Sequence, residues 1–373
     1  MRLERLTVSH VRSITSATVE LAPQFTLITG PNGAGKTNLL EAAHLAATLR
    51  PLTTGTPGEV VQNGQTRAEV AAILTGGVLP LEVRVIIENG RRRATVAGKP
   101  LRDHAAYLGT LATMAFTPDD LRLVKEGPEA RRNFLNRAAS QLWPAAREEL
   151  RRLERALKQR SAALRGGARL AVLEALNEPL AASVVAVWRR RERTLSALEP
   201  HATRWLAHLL DGRALQLGLR PGMELAPERF AALSDEERAA ALVEELARTL
   251  DEDRRRGSTS VGPHHDDLEL FLDGQAARRF ASQGQQRCVA LALTLGVVDA
   301  LREARAAPPL VLLDDVSSEL DDARRGALFQ ALADAGSQVM ATATDESLLP
   351  LPPGYAGEVA RYRASAGTFT PTK

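Results

Sequence analysis

The sequence predicts an α/β fold with a buried sheet at its centre, split by a mostly helical insertion. Three observations carry this. A short apolar, β-branched run at residues 25–29 ends at a glycine-rich turn and is followed by a helical pattern. A second apolar run, at 310–313, ends in two acids. Between them, leucines and valines from 150 to 187 recur at heptad-like spacing.

Taken in order, the first 30 residues read as strands. Leu3, Leu6 and Val8 come first, residues 18–21 follow, and residues 25–29 end at Gly30. Residues 38–49 read as a helix. Residues 81–87 and 92–96 flank Asn89-Gly90, a strong hairpin signal. The texture changes near residue 138. Leu150, Leu153, Leu157 and Leu164 form one stripe, Gly166-Gly167 interrupts it, and Leu173, Leu176, Leu180, Val184 and Val187 form another. Two helices joined by a turn, antiparallel as a short arm, fit this pattern. Further helix is expected at about 202–210, a strand at 214–219, and a helix after Ser234-Asp235-Glu236-Glu237, which has capping-box spacing. Strands return at 267–272, before an Asp273-Gly274 turn, and at 310–313 and 338–342. The expected organisation is one domain built from 1–137 and 258–373, with an insertion at 138–257.

Gly30-Pro31-Asn32-Gly33-Ala34-Gly35-Lys36-Thr37 matches the phosphate-binding loop in full. It lies between a buried strand and a helix, where backbone N–H groups and a helix N-terminus can meet phosphate. Lys36 is expected to reach the β- and γ-phosphates of ATP, and the Thr37 hydroxyl to ligate Mg²⁺. Asp314, at the end of the apolar run, is the second Mg²⁺ candidate in a Walker B arrangement. Asp315 is placed to orient or deprotonate the attacking water.

Composition limits the alternatives. The chain has 373 residues, 44% hydrophobic, and a single cysteine, Cys288, which cannot form an internal disulfide. Cys288 is expected to be a small buried residue. No signal peptide is legible behind Met1, and no apolar run approaches the roughly 18 residues of a transmembrane helix. A cytoplasmic protein with no membrane partner is expected. Net charge is +3, too near neutral to argue for nucleic acid by itself, and only five of the 48 basic residues are lysine.

Ala281-Ser282-Gln283-Gly284-Gln285-Gln286-Arg287 resembles the signature motif of the ABC ATPases. Ser282, Gly284 and Gln285 match it, and Ala281 and Gln283 depart from it. The helical run behind it would aim its N-terminus at a phosphate. Ser317-Ser318-Glu319-Leu320-Asp321 resembles the D-loop of the same family. Walker A and the signature lie far apart in sequence. A head split by a helical insertion resembles the SMC-like proteins, and the shortness of this insertion resembles the RecF family. The segments at 116–124, 127–135 and 262–268 are also similar to that family. The resemblance implies a P-loop ABC-ATPase head with ATP and Mg²⁺, and an ATP-dependent homodimer in which Ser282, Gly284 and Gln285 touch the nucleotide held by the opposite subunit. It implies single- and double-stranded DNA at gaps or junctions as partners, with RecR directly and RecO and RecA indirectly.

Two departures imply slow hydrolysis. Asp315 stands where transporter ATPases carry glutamate, and Ala343-Thr344-Asp345 lack their switch histidine. Asp119 and Asp120 are the candidates for the Q-loop region. A transporter-energising subunit is argued against by the split motif and the missing histidine. A structural SMC-like organiser is argued against by the short insertion. Several residues keep two readings. Arg12 lies near nucleotide or on the surface. Arg131 and Arg132 touch phosphate or serve helix structure. Arg147, Arg151, Arg152, Arg155, Lys158, Arg160 and Arg165 form a solvated face or meet the DNA backbone. His264 and His265 lack partners at zinc spacing. Trp143, Trp188 and Trp205 are expected in the core.

Overall fold

The computed structural model describes residues 1–372 apart from 53–55, 103–106, 108–109, 211, 306–307 and 316–319. Packing groups the chain into two compact units, 1–120 with 297–373, and 121–296. The segments flanking the expected insertion, 121–137 and 258–296, therefore group with it.

In the first unit, β1 (Arg2–Val11), β2 (Ile14–Glu20), β4 (Arg67–Thr75), β5 (Leu81–Glu88), β6 (Arg91–Val96) and β7 (Lys99–Pro100) form an antiparallel sheet in the order β2-β1-β4-β5-β6-β7. One face is apolar: Leu6 with Val8, and Val83 with Val85, point inward at the strand period of two, Val70 joins them, and an irregularity between Leu3 and Arg5 brings Leu3 onto the same face. Asn89 and Gly90 make the β5–β6 turn, with φ of 49° and 70°, the left-handed pair a two-residue hairpin needs.

The second sheet runs β15-β14-β3-β13-β12-β8, from β3 (Phe25–Thr29), β8 (Thr113–Phe116), β12 (Leu310–Asp314), β13 (Gln338–Ala343), β14 (Val359–Ser365) and β15 (Thr368–Thr372). All its pairings are parallel except β14 with β15. Parallel strands are covered on both faces, which is why β12 and β13 are buried at every residue. Helix α1 (Lys36–Thr48) leaves β3, and its Leu39, Leu40 and Leu45 share one apolar cluster with Val8, Leu312 and Met340.

The second unit holds α2 (Pro128–Leu142), α3 (Ala146–Arg165), α4 (Leu170–Leu209), β9 (Leu215–Arg220), α5 (Pro227–Ala231), α6 (Asp235–Arg248), α7 (Leu250–Arg256), β10 (Asp267–Leu272), β11 (Gln275–Ala276) and α8 (Ala277–Phe280). Helix α9 (Gln283–Arg305) starts in it. The pairs Arg190–Glu149 and Arg160–Asn177 show that α3 and α4 are antiparallel. Leu153, Leu180, Val184, Trp188, Phe230, Leu242 and Leu246 fill its core. The capping box at the start of α6 is complete: the Glu237 N–H donates to Ser234 Oγ, and the Ser234 N–H donates to Glu237.

Four expectations change. The stretch expected at 202–210 is the end of α4, a single 40-residue helix that continues through Pro179 and Pro200. Proline removes one helix hydrogen bond, but the apolar face of α4 is held against α3 and α6, and tertiary packing overrides the local penalty. Helix α4 also contains an 18-residue stretch long and apolar enough to cross a membrane by length and composition. Its alanines, leucines and valines supply the face that packs on Leu153, Leu242 and Leu246. Of the three tryptophans only Trp188 is fully buried; Trp143, at the C-terminal cap of α2, and Trp205, on α4, are half-buried, and the Arg193 guanidinium lies 3.9 Å over the Trp143 ring. Arg160, finally, is not on a solvated face but 1% exposed, and Arg131, 3% exposed, is buried as its structural reading requires.

Each of these buried arginines is matched by acid or carbonyl. Arg131 forms a two-point pair with Asp267 at 2.7 and 3.0 Å, and also donates to the Glu126 carbonyl at 2.7 Å. Arg160 donates to Asp253 at 2.6 Å and Thr259 at 2.9 Å. Asp266 accepts from Trp188 Nε1 at 3.1 Å, from the Gly222 N–H at 2.7 Å and from Arg191. A buried charge persists only when paired and hydrogen-bonded in this way.

Candidate nucleotide site

The phosphate loop sits at the C-terminal end of β3, between β13 and β14. Its glycines are required by the chain. Gly35 has φ of 98°, in the left-handed region, and a Cβ at Gly30 would stand 2.3 Å from the Ala364 carbonyl oxygen. The loop is braced from behind by two turns. The Gly367 N–H donates to the Ala34 carbonyl at 2.9 Å, and Asn38 donates to Ser13 Oγ at 2.7 Å. Lys36 is 6% exposed, and its ammonium donates to the Gly30 and Pro31 carbonyls at 2.6 and 3.1 Å.

Thr37 and Asp314, 277 positions apart in sequence, meet directly: Thr37 Oγ1 donates to both carboxylate oxygens at 2.9 Å. Thr342 on β13 donates to the same carboxylate at 3.0 Å. Burial pushes the Asp314 carboxyl above its ordinary range, against the Thr37 and Thr342 hydrogen bonds and the charge of Lys36. A desolvated carboxylate beside a hydroxyl is a hard oxygen donor pair, which fits Mg²⁺.

The raised pKa has a testable sign. Protonation of Asp314 is favoured in the folded state, so its contribution to stability is present below the ordinary carboxylate value and lost as pH rises through the folded one. Asp314→Asn has no such loss. Without nucleotide, the variant is expected to melt at or above the wild-type temperature at pH 7, with the difference shrinking towards pH 4. With ATP and Mg²⁺ the order should reverse, since only the wild type gains ligand stabilisation. A nucleotide-free variant that melts below wild type at pH 7 would contradict the burial argument.

Asp315 follows at φ of 49°, a strained conformation for a residue with a Cβ. Its N–H donates to the Thr342 carbonyl at 3.1 Å, so β13 holds the turn that carries it. Arg12 reaches α1 rather than open solvent: it donates to Glu41, 1% exposed, at 2.8 and 3.4 Å. Its charge offsets a buried acid in the helix behind the phosphate loop. Asp120 closes its own turn by accepting from the Thr117 N–H and hydroxyl at 2.9 and 3.0 Å, while Asp119 is exposed. Of the D-loop candidates, Ser317, Ser318 and Glu319 lie outside the described residues, Leu320 is buried, and Asp321 caps α10 (Asp322–Asp334) through the Arg324 N–H.

The signature residues open α9. The Gln285 N–H donates to Ser282 Oγ at 3.3 Å, and the Ser282 N–H donates to Gln285 Oε1 at 2.8 Å. This is a capping box, so Gln285 serves the helix terminus. Ser282 is exposed. Gly284 has helical backbone, and a Cβ there would meet nothing within 4 Å. The chain itself has no need of glycine at that position, although glycine weakens a helix by about 0.5–1 kcal/mol. The absent side chain leaves room for something approaching from outside.

Sequence reasoning missed Gly367 and Ala364, which support the loop from the last hairpin, and Thr342, which holds both acids. An Ala366-Gly367 turn is legible as a turn, but nothing in its spacing says that it lies behind residue 34.

A phosphate loop on a parallel sheet, an acid meeting its threonine, and a signature-type helix start far along the sequence define a P-loop ATPase head of the SMC kind. The family model described as RecF/RecN/SMC N terminal domain matches residues 2–351. The chain is 40% identical over 373 residues to the DNA replication and repair protein RecF of Anaeromyxobacter sp. (strain Fw109-5), covering 100% of this chain and 99% of that protein. It is 40% identical over 354 residues to the RecF of Myxococcus xanthus (strain DK1622), covering 94% and 92%. Its fold matches the recombination mediator RecF–ATPrS of the RecFOR pathway at a TM-score of 0.88 and 26% identity, covering 100% and 98%. The Smc head bound to the C-winged helix domain of ScpA matches in fold alone, at a TM-score of 0.57 and 14% identity, covering 100% and 97%. The chain belongs to the RecF family.

Proposed function

We propose that the chain is an ATP-dependent DNA-binding repair protein that dimerises around ATP on gapped or junction DNA and hydrolyses ATP slowly for release. The observation that carries this is the meeting of Thr37 and Asp314 beside the phosphate loop. Gly30–Thr37 would hold the ATP phosphates, with Lys36 moving from its loop carbonyls to the β- and γ-phosphates. Thr37 and Asp314 would hold Mg²⁺, which supplies charge neutralisation on the phosphates. Asp315 would orient or deprotonate water. Ser282 and Gly284, at the start of α9, would meet the γ-phosphate held by a second copy, and Gln285 would keep that helix start formed. The RecFOR pathway named for the solved RecF–ATPrS structure supports RecR and RecO as partners, and RecA loading is what the family resemblance implies. The cytoplasm is the expected compartment.

Asp315→Asn keeps the shape and removes the base. It is expected to bind ATP and DNA like wild type, to turn over about 10²–10⁴-fold more slowly, the usual worth of general base catalysis, and to dwell longer as a dimer. Single-turnover hydrolysis and gel filtration in ATP measure both. Unchanged turnover would move the water-activating role to another residue.

A further inference from the structure

The arginines of the arm divide into two groups. On the first turns of α3, Arg151, Arg152 and Arg155 all turn to one carboxylate, Glu148. Arg160 is buried with Asp253. The opposite end is different. Where α3 turns into α4, Arg165 donates to the Gly257 carbonyl at 3.2 Å, which sets the last turn of α3 against the end of α7. Helix α7 ends in Arg254-Arg255-Arg256, all exposed, and Arg169 is exposed on the α3–α4 turn. Arg256 is paired with Glu252, while Arg169, Arg254 and Arg255 have no ion pair among the described residues. Asp251 is the exposed acid on α7, with Glu252 half-buried and Asp253 buried.

We infer that this end of the arm, formed by Arg165, Arg169, Arg254 and Arg255, is a contact surface for the phosphate backbone of DNA. The inference rests on the proposed DNA-binding function and gives it a place. Like charges gathered at one site repel one another, and a protein this near neutrality gains nothing in solubility from concentrating them. A polyanion relieves that repulsion. Arginine forks on three elements suit phosphate oxygens, which are spaced along a strand and carry no sequence information. The arginines around Glu148 share one carboxylate, so part of their charge is offset within the arm, whereas Arg169, Arg254 and Arg255 have no such partner among the described residues.

The test is the triple variant Arg169→Glu, Arg254→Glu, Arg255→Glu beside the control triple Arg151→Glu, Arg152→Glu, Arg155→Glu. Both change net charge equally, and all six residues are exposed. Binding of duplexes of unrelated sequence, in ATP, is followed by fluorescence anisotropy across a salt series. ATP affinity and the far-ultraviolet dichroism of each variant are measured alongside. The arm-end triple is expected to weaken duplex binding at least about 10-fold and to flatten the slope of log K against log salt by roughly 2–3, with ATP binding intact. The control should shift affinity much less. Equal losses in both triples would reduce the effect to net charge and overturn the inference. Wild-type affinity and slope in the arm-end triple would also overturn it, and would leave the cluster to an acidic protein partner. A wild type that binds no duplex would remove the functional proposal as well, an outcome distinct from a wild type that binds and a variant that binds equally.

Discussion

Ser282→Arg is expected to abolish ATP-dependent dimerisation while leaving ATP binding to the single chain nearly intact. The serine is exposed, at the start of a 23-residue helix, and two residues before a glycine that the chain itself does not require. A bulky cation there blocks the approach of a second copy without disturbing Gly30–Thr37. Lys36→Met fails for the opposite reason: it removes the cation that faces the phosphates, and nucleotide affinity itself is lost. The loss should amount to at least about 10²-fold, the scale of one charge-assisted hydrogen bond pair left unmade. A mixture of the two variants contains heterodimers with one doubly damaged site and one undamaged site. Differently tagged proteins should therefore co-purify weakly in ATP, although neither variant dimerises alone. If Ser282→Arg dimerises normally in ATP, the signature does not act across the interface, and the dimer mechanism falls with it.

Asp266→Ala should be the most destabilising single change in the arm unit. The carboxylate is 1% exposed and satisfies three donors: Trp188 Nε1, the Gly222 N–H and Arg191. Burial pushes the Arg191 guanidinium below its ordinary range, and Asp266 is the main charge opposing that. Removing the acid leaves a buried cation uncompensated, which costs about 3–5 kcal/mol. For a unit of this size the melting temperature is expected to fall by roughly 10 °C. Thermal melts followed by near-ultraviolet dichroism of the buried Trp188 would report it. A fall smaller than about 2 °C would mean that Arg191 finds another partner. The double change Arg191→Met with Asp266→Ala should recover part of the loss, because it removes the charge instead of stranding it.

These two sites differ in how they were written. Gly30–Thr37, Asp314 and Ser282 stand out in the sequence because each lies at a strand end or helix start with its own local signal. The strands expected at 25–29, 310–313 and 338–342 were legible for a related reason: strands covered on both faces are mostly apolar. The Asn89-Gly90 hairpin and the Ser234 capping box are local hydrogen-bonding devices, and they formed as spaced. Gln285, read from the sequence as a nucleotide contact, also completes a capping box in the structure, since S-x-x-Q has that spacing too.

The sequence by itself determined the fold class, the phosphate loop and the acid-tipped strand, all of which depend on short-range pattern. Only the tertiary structure decided which charges are used inside the protein. Arg131, Arg160 and Arg191 look in sequence like any other arginine of an arginine-rich chain, yet each is buried against an acid 75 or more positions away. Thr37 and Asp314 likewise meet across 277 positions. The physical reason is that a buried charge is permitted only by its partner, and no local period encodes a partner that the fold brings from the far end of the chain.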